Sequence, residues 1–116
     1  MINNMKFSVR QMRIEMENRD IKFAKEYVKG AVHSFCKNNS KEPFSVRILF
    51  GGANKDWHGT PLQCIYEYYR DTVKDPKPAN RAAIYVGYLL KSVLNDDRRE
   101  FEWIGKDTGN KYRLVK

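Results

Sequence analysis

The sequence predicts an α+β domain whose elements run helix, strand, helix, helix, strand, loop, strand. Three observations predict it. An apolar stripe recurs at helical spacing from Ile21 to Cys36. Apolar residues recur at every second position from Phe44 to Phe50, alternating with Ser45, Arg47 and Leu49. Two stretches with helix start signals, at Thr60 and Asn80, lead into two short alternating segments around a turn-rich link. With 116 residues, a single domain is expected over residues 18–116, preceded by an arm or short helix over residues 1–17.

In that N-terminal stretch, Met5, Val9, Met12 and Met16 recur at helical spacing. This suits a short amphipathic helix or an arm that docks on the domain or on a second copy in a homodimer. From Asn18 to Asn39 the stripe Ile21, Ala24, Val28, Ala31, Val32, Phe35 and Cys36 marks a long helix. Asn18 or Asp20 can cap its first turn, and the Asn38–Asn39–Ser40 cluster ends it.

Phe44, Val46, Ile48 and Phe50 share one face if the segment is extended, the pattern of a half-buried strand, and Gly51–Gly52 stops it. In the loop that follows, Trp57 is expected to plug the core, with an exposed anchor for a partner as the alternative. The next helix is expected over residues 60–74. Thr60 is its cap, Pro61 its first residue and Gln63 the return half of a capping box. Leu62, Ile65, Tyr66 and Tyr69 form its inner stripe.

Asn80 is expected to cap a second strong helix running to Leu94, with Val86, Leu89, Leu90, Val93 and Leu94 facing the core. Arg81, Tyr85, Tyr88, Ser92 and Asn95 then share the opposite, polar face. Glu100–Ile104 and Lys111–Val115 read as two strands joined through Gly105-Lys106-Asp107-Thr108-Gly109-Asn110.

The formal charge is +8, with 11 basic and 6 acidic residues in positions 1–58 and 11 and 8 in positions 59–116. The excess favours a polyanionic partner but forms no basic run. Met1 to Arg10 is polar and no stretch approaches a membrane span. A soluble cytoplasmic protein with no membrane partner is therefore expected, with Cys36 and Cys64 as free buried thiols.

Catalytic patterns are missing. Gly51–Gly52 has no following Gly-Lys-Ser/Thr, no nucleophile elbow occurs, and the carboxylates are scattered. The His33-x-x-Cys36 and His58-x(5)-Cys64 pairs lack zinc-finger spacing. Neither enzymatic activity nor a metal or cofactor is expected.

The element order, with its capped helices and terminal hairpin, resembles the winged helix-turn-helix superfamily over residues 18–116. The resemblance implies a small DNA-binding regulator in which Asn80–Asn95 is the recognition helix and the hairpin is the wing. It implies contacts to double-stranded DNA from Arg81, Tyr85, Tyr88, Lys91 and Ser92 on the helix, and from Lys106, Asn110, Lys111 and Arg113 on the wing. The acidic group Asp96, Asp97, Glu100 and Glu102 falls between helix and wing, where it is expected to repel phosphate at close range. That group, with the aromatic Tyr85 and Tyr88, keeps open the alternative of a protein–protein interaction module on the same fold.

Overall fold

A computed structural model describes residue 16, residues 18–51, 57–106 and 109–115. The arm or helix expected over residues 1–17 therefore lies, Met16 apart, outside the described residues. Within them the chain is α+β, with four α-helices and one antiparallel hairpin.

Helix α1, Asn18–Asn38, buries Ala24, Val28, Val32 and Cys36, four residues apart, as its periodicity dictates. It closes where asparagine amides bond back to the carbonyls of the last turn, Asn38 to Ser34 at 3.0 Å and Asn39 to Phe35 at 3.3 Å.

The expected strand over Phe44–Phe50 is replaced by helix α2, Val46–Phe50. Only Phe44 is sheet-like. Its N–H donates to the Tyr112 carbonyl and its carbonyl accepts from the Tyr112 N–H, both at 2.8 Å. Ser45 causes the change: it is extended, and its hydroxyl accepts the Ile48 N–H at 3.2 Å, so it is a helix N-cap. Gly51, at φ 77°, ends the turn by donating to the Arg47 carbonyl. Once the segment is helical, Val46, Leu49 and Phe50 pack inward at i, i+3 and i+4, while Ile48, 48% exposed, points out. Five apolar-rich residues fit either period, and the flanking caps decide between them.

Helix α3 spans Gln63–Glu67 and widens into a π-helical turn over Tyr68–Thr72. The expected Thr60–Gln63 capping box does not form, because the Thr60 N–H it needs already donates to the Trp57 carbonyl at 2.9 Å. The Thr60 hydroxyl instead donates to Trp57 O at 2.7 Å and accepts from Leu62 N at 3.2 Å. Leu62, Ile65 and Tyr69 are buried, whereas Tyr66 is only partly so, under the Arg70 guanidinium.

Helix α4, Pro78–Asp96, starts two residues before the expected Asn80 cap. Pro78 takes the first helical position, where its fixed φ and missing N–H cost nothing, and no side chain caps the helix. It packs against α1, α2 and α3, making it the central element. Its buried residues are Ala82, Tyr85, Val86, Leu89, Leu90, Val93 and Leu94, the i, i+3, i+4 rhythm of one broad inner stripe.

Strands β1, Phe101–Lys106, and β2, Asn110–Leu114, form the hairpin, one to two residues nearer the tip than expected. Phe101 and Tyr112 enter the core, where Phe44 meets them and Phe35 at ring separations of 5.6 to 6.3 Å. Trp57 is a core plug, 1% exposed. No described helix is long and apolar enough to cross a membrane.

Candidate functional site

Among the described residues, a groove of about 560 Å³ lies between the outer side of α4, the α2 turn and the hairpin near its tip. Besides the buried Leu90, the α4 residues that line it are Asn80, Ala83, Ile84, Gly87, Tyr88 and Lys91. These fall at i, i+3, i+4, i+7, i+8 and i+11, a single stripe on the side away from the core. Ala83 and Gly87 keep its centre low. A Cβ built on Gly87 would meet nothing within 4 Å among the described residues. Internal packing therefore does not require the glycine, although glycine inside a helix is unfavourable.

Arg47 projects into the groove from α2, and Lys106 and Asn110 from the hairpin, while Val46, Trp57, Leu90 and Tyr112 supply apolar wall. Burial pushes the Tyr112 phenol up to about 12, so that wall is neutral at physiological pH. Three cations from three elements, Arg47, Lys91 and Lys106, meet here, and no carboxylate among the described residues lines the groove. The groove thus presents positive charge beside amides, a phenol and apolar surface.

The expected contact residues divide. Tyr88, Lys91, Lys106 and Asn110 line the groove; Arg81, Tyr85, Ser92, Lys111 and Arg113 do not. Tyr85 is a correction: it is 7% exposed, at the i+3 position of the buried stripe. The expected polar face of α4 is turned by about a quarter of a turn from the stripe that faces the groove, at about 100° per residue. Arg81 leans on Asp75 at 3.4 Å, and Arg113 is held by Glu102 across the hairpin at 2.7 Å. The strand pattern conceals Arg47, and the expected cap role conceals Asn80. The Ser45 cap and the Pro78 start are the signals that reveal them.

None of Asp96, Asp97, Glu100 and Glu102 lines the groove. Asp96 pairs with Lys25 of α1 at 3.0 Å, Asp97 with Arg99 at 2.8 Å, and Glu102 with Arg113. For Asp97, burial is the strongest single influence and opposes ionisation. The Arg99 side-chain and backbone hydrogen bonds and charge, with the His33 charge, outweigh it and hold the carboxyl below its ordinary range.

Cys36 and Cys64 are free thiols, and burial pushes both up, away from the reactive thiolate. Comparison with known proteins finds no matching family model, no matching curated protein and no matching solved structure.

Proposed function

We propose that this chain is a nucleic-acid-binding domain of winged-helix type that binds duplex DNA across the face formed by α4 and the hairpin, the groove between them taking a stretch of the DNA backbone. The observation that carries the proposal is the convergence of Arg47, Lys91 and Lys106 on a groove without a described carboxylate. In this reading α2, α3 and α4 are the three-helix unit and α4 is the recognition helix. The hairpin is the wing, braced on its β2 side by the Phe44–Tyr112 bridge. Asn80 reaches base edges, for which a carboxamide is suited, while Arg47, Lys91 and Lys106 neutralise phosphates. The small Ala83 and Gly87 let the helix backbone approach the duplex closely.

Fluorescence anisotropy with a random-sequence duplex at low salt tests the proposal. Binding is expected in wild type and loss in the Arg47→Glu/Lys106→Glu variant; absence of wild-type binding refutes it. A protein-interaction module is the second reading. Phe23 and Tyr27 favour it, one turn apart on α1 and exposed. A Phe23→Ser/Tyr27→Ser variant that keeps its DNA affinity but loses self-association in sedimentation supports that surface; an unchanged mass removes it.

A further inference from the structure

We infer that Trp103 is a stacking platform for an unpaired base, so that the ligand is a duplex carrying a single-stranded or extruded nucleotide beside the groove. The inference rests on the nucleic-acid reading and narrows its substrate class.

Trp103 departs from the other aromatic residues of the hairpin. Phe101 and Tyr112 are each 2% exposed, whereas Trp103 is 55% exposed. It lies directly opposite Tyr112 in the ladder, so both side chains stand on one face of the hairpin. Tyr112 and Asn110 on that face line the groove. The indole is not loose: its Nε1–H donates to the Asn110 Oδ1 at 3.0 Å. That bond crosses the hairpin, satisfies the only polar atom of the ring and limits its rotation, leaving the π-face to a ligand.

The backbone contributes too. Trp103 pairs with Tyr112 and Gly105 with Lys111, so Ile104 is an extra residue in β1 and the strand bulges immediately after Trp103. Gly105, at φ 129°, accommodates the bend. Bulges re-aim a neighbouring side chain and recur near binding sites. Among the described residues β1 has β2 on one side and no strand on the other, so the platform stands at an open edge.

Charge selects a nucleobase over an apolar protein side chain. Lys106, three residues beyond Trp103 and at the groove, supplies positive charge. The neighbouring carboxylate, Glu102, is neutralised by Arg113 at 2.7 Å. A ligand that matches both a flat apolar ring and a nearby positive charge is a base attached to phosphates. Stacking of this kind tolerates any base and requires that the base be unpaired.

The test uses the full chain at low salt with a blunt duplex, the same duplex bearing an unpaired thymidine tail, and heparin as a base-free polyanion. Wild type is expected to prefer the tailed duplex. Trp103→Ala should weaken tailed-duplex binding by about tenfold, with the blunt duplex changed by less than about twofold. Trp103→Phe should retain most of the preference. Indole emission should fall on adding the tailed duplex and not with heparin, the core Trp57 serving as an internal check that each variant is folded. Equal affinities of Trp103→Ala and wild type for the tailed duplex overturn the inference while the duplex-binding proposal stands. So does equal quenching by heparin. Failure of wild type to bind either duplex overturns both.

Discussion

Gly87→Ala should stabilise the protein and weaken its binding in one step. Gly87 lies inside α4, where glycine costs about 1 kcal/mol relative to alanine because it has more unfolded freedom to lose. A Cβ there would meet nothing within 4 Å among the described residues, so no clash subtracts from the gain. The net expectation is about 1 kcal/mol of added stability and a melting temperature raised by about 4 °C for a domain of this size. Gly30, inside α1 and exposed, also has nothing within 4 Å of its Cβ position, which makes Gly30→Ala the matched control. Thermal and urea denaturation followed by circular dichroism should show similar gains for both variants. Duplex affinity should separate them: the methyl at 87 fills the point of closest approach in the groove, whereas the methyl at 30 lies on another helix. The reasoning is refuted if Gly87→Ala destabilises the fold. It is also refuted if the two variants bind duplex equally well.

Ser45→Ala removes the cap of α2 and should cost about 1 kcal/mol in urea denaturation, whereas an unchanged midpoint would restore the strand reading of that segment. Asp97→Asn should cost about 1–2 kcal/mol at neutral pH, since it breaks a charge-assisted bond to Arg99 in a carboxyl that is 8% exposed. Because the folded Asp97 carboxyl titrates below its unfolded value of about 4, the stability it contributes is present above that pH and lost as pH falls further. The wild type and Asp97→Asn stability curves should therefore converge in acid; parallel curves would remove the ion pair from the account.

Much of the fold is legible in the residues, because long stripes leave little ambiguity. The stripe from Ala24 to Cys36 and the one from Val86 to Leu94 place α1 and α4 with their inner faces correct. The glycine- and asparagine-rich link places the hairpin. Short segments are the difficulty. Val46 to Phe50 satisfies both periods, and the deciding bond, Ser45 to Ile48, comes from a residue outside the stripe. The π-turn at Tyr68–Thr72 carries no pattern that marks it.

The site is less legible than the fold. Tyr85 is polar enough to read as outward, yet the buried stripe of α4 is wide enough to include it. The partners of the acidic group lie at every range, Arg99 two residues from Asp97, Arg113 eleven from Glu102 and Lys25 71 from Asp96, so the sequence alone does not show which carboxylates are paired. Arg47 joins Lys91 and Lys106 only through tertiary packing, which brings three elements to one groove.

The central claim is that this groove neutralises the phosphates of a duplex. The slope of log affinity against log salt measures it most directly, because each phosphate contact adds about one to its magnitude. Wild type and the Arg47→Ala/Lys106→Ala variant should both give straight lines, the variant shallower by about two and weaker at low salt. Equal slopes, or no wild-type binding at low salt, would contradict the account.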